Sequence, residues 1–118
     1  MRLSGFIILA CCVCLPAMSA RADTTNTPNA PDPARQQALL HLLHQDCGAC
    51  HGLTLKGGLG SPLTSQALAG KPMENLVATI MNGRPGTPMP PWKPFMSETE
   101  AEWLVQWLQS QKPLDPNQ

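Results

Sequence analysis

The sequence predicts a small all-α domain of three main helices joined by long loops. Three observations predict it. Apolar residues recur at helical spacing in three separate segments. No segment shows the strict alternation of a half-buried strand. The connecting stretches are too rich in glycine and proline for helix or central strand. The 118 residues suit one domain. The formal charge is zero, with no run of Lys or Arg, which excludes a nucleic-acid binder. No apolar stretch reaches the roughly 18 residues of a membrane span, so stable membrane insertion is not expected.

Residues 1–22 read as a secretory signal. Arg2 is the positive start, and Phe6 to Leu15 form an apolar run of about ten residues. Ala20-Arg21-Ala22 is an A-x-A cleavage site, so the exported chain is expected to begin at Asp23. A lipidated Cys11 is the alternative, but the sequence before it resembles a lipoprotein box only loosely. Cleavage removes Cys11, Cys12 and Cys14, leaving Cys47 and Cys50. It also removes Arg2 and Arg21, which leaves six basic and eight acidic residues and a net charge of −2.

Residues 23–33 are small, polar and proline-rich and read as a flexible linker. Asp32 and Pro33 mark a helix start, as N-cap and first helical residue. Ala38, Leu39, Leu42 and Leu43 form its apolar stripe, and the helix runs into Cys47. Residues 52–70 contain five glycines and form an irregular loop, with a short helical turn near Ser65–Leu68. A second helix follows Gly70-Lys71-Pro72 with Met73, Leu76, Val77, Ile80 and Met81 as its inward stripe, and Gly83 stops it. Five prolines between 84 and 96 exclude regular structure there. Ser97-Glu98-Thr99-Glu100 is a capping box for the last helix, whose apolar face carries Trp103, Leu104, Trp107 and Leu108. Trp103 or Trp107 is expected against the Leu39/Leu43 face. Residues 34–112 form the domain and 113–118 a polar tail. So much loop in so small a domain, with few aromatic residues to fill a core, requires a large apolar group to wrap around.

Cys47-Gly48-Ala49-Cys50-His51 is C-x-x-C-H, the attachment sequence of c-type heme. Thiols three residues apart reach the two vinyl groups of one porphyrin, and the adjacent histidine falls beneath the iron. A disulfide or thioredoxin-like pair would follow a strand, and none is present. A zinc site from His41, His44, Cys47 and Cys50 is the sharper alternative, but it leaves the proline-rich loop without a purpose. For the sixth ligand, Met89 is held between Pro88 and Pro90 and cannot join a helix stripe. Met73, Met81 and Met96 read as core fillers, and His41 and His44 as surface residues. Histidine–methionine ligation closes the iron and suits electron transfer. His51 is expected to donate its outer N–H to a backbone carbonyl, with Pro62 the candidate. The Trp92 indole is a candidate donor to a heme propionate or a plain packing residue.

The order of helix, C-x-x-C-H, glycine-rich loop, middle helix, methionine loop and aromatic-bearing last helix resembles the class I cytochromes c over residues 34–111. The resemblance implies their small fold, three main helices and long loops wrapped around one covalent heme c. It places Cys47 and Cys50 at the thioether positions and His51 and Met89 at the axial ones. More narrowly, DCGACHGLTLKGGLGSPLT, LAGKP and NGRPGTPMPPW look like the NirC-type cytochromes of denitrifying bacteria. Those are periplasmic proteins associated with cytochrome cd1 nitrite reductase. The implied job is to pass electrons to that reductase or to serve the maturation of its heme d1. The chain has no tyrosine, so the family's propionate-binding tyrosines have no counterpart. The leading function is a one-electron carrier and not an enzyme, since no paired carboxylates or Ser-His-Asp order accompany the motif. A sensing module with a displaceable Met89 is the alternative.

Overall fold

The computed structural model describes residues 29–111; the expected signal, residues 23–28 of the linker and the tail at 113–118 lie outside them. The described residues are helical with no strand. The elements are α1 (Pro33–Leu42), a π-helical turn (Leu43–Cys47), α2 (Gly48–His51), α3 (Ser65–Leu68), α4 (Met73–Asn82) and α5 (Glu98–Ser110).

The Asp32 carboxylate accepts from the N–H groups of Ala34 and Arg35, satisfying two donors that the first turn leaves orphaned. Gln36 donates to the Pro31 carbonyl at 2.8 Å, so Pro31–Pro33, read from sequence as the end of the linker, belong to the folded start of α1. Of the expected α1 stripe, Leu39 and Leu43 are fully buried, Leu42 is half-buried and Ala38 is exposed. The helix then widens. Gly48 donates to the Leu43 carbonyl five residues back, and this π turn shifts everything after it by about one residue relative to a plain α-helix. Gly48 is thereby buried, while Cys47 and Cys50 both reach one cavity wall.

Thr64 caps α3 through its hydroxyl, and α3 lies against α5 with Leu68 buried. The inward stripe expected for α4 is present, and it serves two interior surfaces. Val77 and Met81 enter the core, and with Met73 they also line a shallow groove of about 390 Å³ beside Glu74 and Glu98. Leu76 and Ile80 face the main cavity instead. Residues at i, i+3, i+4, i+7 and i+8 form one broad apolar arc, and its two edges meet different partners. Gly83 ends α4 at φ +66°, and a Cβ there would lie 2.6 Å from the Met89 carbonyl oxygen. Only glycine combines that backbone with so close a crossing.

The α5 capping box is complete. Glu100 N–H donates to the Ser97 hydroxyl, and Ser97 N–H donates to the Glu100 carboxylate. Ala101, Leu104, Val105 and Leu108 are buried, and the two tryptophans are half-buried at the edge of the core. Trp107 meets α1's continuation at His44, ring edge to face at 6.3 Å. His41 and His44 are exposed.

Arg35 joins the first and last helices. Its guanidinium donates to both Glu100 oxygens, at 2.5 and 3.2 Å, and to the Phe95 carbonyl. The hydrogen bond from Arg35, then that from Ser97, holds the Glu100 carboxyl down to about 2. An unfolded glutamate titrates near ~4.3. The interaction is therefore fully present above that value and is lost as the pH falls toward 2. Glu100→Gln, which keeps a capping acceptor, should lower stability at neutral pH by about 0.2–1 kcal/mol. In urea titrations of the heme-loaded protein, the variant should lose less stability than the parent between about pH 5 and pH 2.

Candidate heme site

The site is built on the closing of α2. A helix this short leaves its last carbonyls unpaired. The glycine-rich loop turns back to meet them: Gly57 donates to the His51 carbonyl and Gly60 to the Cys50 carbonyl, each at 2.8 Å. Leu55 anchors the loop from within. It is buried, in the left-handed region at φ +58°, and accepts from Leu63 N–H. A buried leucine at positive φ has no local sequence signal, and Leu55 was not among the expected core residues.

This fold-back fixes His51. Its Nδ1 lies 2.6 Å from the Ser61 carbonyl oxygen. A carbonyl only accepts, so Nδ1 carries the proton and donates, leaving the Nε2 lone pair for a metal. The sequence expectation was the Pro62 carbonyl. The correction is one residue, and the cause is the path of the loop: Pro62 stands with its ring against Gly57 and lines the cavity. Gly60 lies flat on the imidazole, where a Cβ would come 2.7 Å from Cε1 and Nδ1.

His51 opens onto a cavity of about 990 Å³. That is near the upper end for cofactor clefts, which run about 300–1,000 Å³. Cys47, Cys50 and Leu43 line it on one side, Leu76 and Ile80 of α4 on another, and Leu104, Val105 and Leu108 of α5 on a third. Met89 and Trp92 complete it from the proline-rich loop. Trp92 donates its main-chain N–H to the Ile80 carbonyl at 3.0 Å and packs its ring on Phe95. Both cysteines are free thiols. Burial, with the Asp46 charge beside it, pushes the Cys47 thiol up to about 11.

The structure thus brings together Cys47, Cys50, His51, Met89, Pro62 and Trp92. Met96 also lines the cavity but is buried in the core, as a filler would be. Met73 and Met81 line the groove on another face of α4 and are not among the cavity's lining residues. The zinc alternative fails on geometry. Among the described residues no three His, Cys, Asp or Glu side chains gather to hold a metal ion. Steps of three residues drift around a helix, so His41 and Cys50 end on different faces.

The residues fit an iron porphyrin. The apolar cavity suits the macrocycle, the paired thiols suit its two vinyl groups, and the imidazole and thioether are groups that can ligate its iron. The class so defined is the c-type cytochromes, with covalently bound heme c.

The comparisons with known proteins agree. A family model described as cytochrome C oxidase, cbb3-type, subunit III matches residues 34–108, and the chain belongs to this cytochrome family. A protein named cytochrome c55X from Pseudomonas aeruginosa is 63% identical over 78 residues, which is 66% of this chain and 66% of that protein's own length. A solved structure titled c-type cytochrome NirC is 61% identical with a TM-score of 0.66, covering 67% of this chain and 93% of that one. A second, titled dihydro-heme d1 dehydrogenase NirN in complex with DHE, is 31% identical with a TM-score of 0.58. It covers 65% of this chain but only 16% of that longer one.

Gly60→Ala tests the packing of the loop on the imidazole. The added methyl must displace the ring or the backbone, at a cost of about 1–3 kcal/mol. Urea unfolding of the heme-loaded variant should show that loss.

Proposed function

We propose that this cytochrome is a one-electron carrier of the periplasm, exchanging electrons with cytochrome cd1 nitrite reductase or in the making of its heme d1. The observation that carries the reading is the composition of the cavity wall. It offers an imidazole and a thioether as axial groups, and no pair of carboxylates for acid–base work. Asp46, Lys71 and Arg84 are its other charged lining residues. Bound, the heme supplies a ferric/ferrous couple, and histidine–methionine ligation raises its potential.

The residues divide the work as follows. Cys47 and Cys50 would hold the porphyrin through thioethers. His51, oriented by the Ser61 carbonyl, and Met89 would ligate its iron. Leu76, Ile80 and Leu104 would exclude water from the macrocycle. Of the cavity's lining residues Leu59 is 87% exposed and Pro90 is exposed, and Ala49, next to Cys50, and Pro91, next to Pro90, are exposed as well. Such an apolar edge suits the small, weak interfaces of redox partners. Among the described residues no helix is long and apolar enough to cross a membrane. Residues 1–22 are the export signal in this reading, which places heme attachment outside the cytoplasm.

The likeness to a dihydro-heme d1 dehydrogenase favours the maturation role as the second form of this reading. Stopped-flow mixing of the reduced cytochrome with oxidised nitrite reductase separates the two. Fast, saturable oxidation assigns the reductase as partner. Slow oxidation, together with missing heme d1 in a deletion strain, assigns maturation. Met89→Ala should convert the low-spin spectrum to a high-spin or water-ligated one, and an unchanged spectrum would remove Met89 from the axial position. Replacing both Cys47 and Cys50 by Ser should abolish heme that survives acid–acetone extraction.

A further inference from the structure

We propose that the Thr87 hydroxyl is a positioning group for Met89, clipping the methionine loop in the conformation that presents its thioether to the cavity. This rests on the reading of Met89 as an axial ligand. The loop leaves α4 at Gly83 and returns at once, because Arg84 N–H donates to the Met89 carbonyl at 3.1 Å. What lies between has little means of bracing itself. Pro85, Pro88, Pro90 and Pro91 have no N–H, so within 85–91 only Gly86, Thr87 and Met89 carry a backbone donor. Thr87 N–H donates to the Arg84 carbonyl at 3.0 Å, forming a turn.

The Thr87 side chain then does what the missing backbone donors cannot. Its hydroxyl donates to the Arg84 carbonyl at 2.8 Å, and the same oxygen accepts from Met89 N–H at 3.3 Å. One hydroxyl acting as both donor and acceptor links the outgoing arm of the loop to the ligand residue. Thr87 is exposed, lines the cavity and is not part of the buried core, so a replacement of the same shape leaves both the cavity wall and the packing of the domain in place. A serine keeps both hydrogen bonds. A valine keeps the shape and loses both.

The test compares the parent, Thr87→Val, Thr87→Ser and Met89→Ala as ferric, heme-loaded proteins. The readouts are imidazole titration, the methionine-to-iron charge-transfer band and urea unfolding. Thr87→Val should bind imidazole about five- to tenfold more tightly, the lower end of the scale for two neutral hydrogen bonds, with a weakened charge-transfer band. Thr87→Ser should stay within about twofold of the parent, since it keeps both hydrogen bonds. If Met89→Ala changes the spectrum but Thr87→Val binds imidazole like the parent, the clip is wrong while the ligand assignment stands. If the valine and serine variants loosen equally, the hydroxyl is not the cause and the proposal is likewise overturned. If Met89→Ala leaves the spectrum unchanged, it is the ligand assignment that fails.

Discussion

A carbonyl oxygen can only accept a hydrogen bond, and the site depends on that constraint. Because the Ser61 carbonyl faces Nδ1 of His51, the ring must carry its proton there and keep Nε2 for iron. The long loop between α2 and α3 becomes intelligible from this one contact. It has to pass close enough to bring Ser61 to the ring, which places Gly60 flat on the imidazole. It also has to satisfy the last carbonyls of α2, and Gly57 and Gly60 donate to them. A loop without an apolar stripe of its own is thus ordered by the end of the helix it serves.

The heme is part of the core as much as a ligand of it. Leu76 and Ile80 of α4 line the cavity, while Val77 and Met81 reach the polypeptide core from the same helix. Leu104 and Leu108 serve both: buried against protein, they line the cavity too. Packing of α4 and α5 is therefore shared between side chains and porphyrin. This explains how a chain with two phenylalanines and no tyrosine sustains a domain. A flat macrocycle fixed by two covalent bonds replaces the aromatic side chains that a core of this size otherwise needs.

Helix ends were legible in the sequence because their chemistry is local. Asp32 before Pro33, Ser97 three residues before Glu100, and Gly83 after the α4 stripe each act through a neighbour a few positions away. The attachment motif was legible for the same reason. The π turn at Leu43–Cys47 was not, since its residues are ordinary for an α-helix. The choice of Ser61 over Pro62 depended on the course of a loop with several residues at positive φ, where one position of slip changes which carbonyl faces the ring. The α4 stripe was legible as one inward arc, but periodicity counts apolar positions without saying which will meet the core and which the cavity. Thr87 carries no sequence signal, because its part depends on two hydrogen bonds of its hydroxyl that only the loop's path creates.

The His51 imidazole and the Met89 side chain are held by different physics. His51 sits at the end of a helix, with its outer nitrogen engaged and a glycine backbone pressed on its ring. Met89 sits on a loop whose prolines restrict the backbone but supply no donors, so its order rests on the Gly83 crossing, two backbone hydrogen bonds and one hydroxyl. Proline rigidity limits the shapes the loop can take without choosing among them; the hydrogen bonds choose. The methionine side is therefore the yielding side of the site. An electron carrier gains from such a division. With the heme ligated as proposed, the histidine side would keep the porphyrin fixed, while the methionine side would set how tightly the thioether is held, and with it how strongly ferrous iron is favoured.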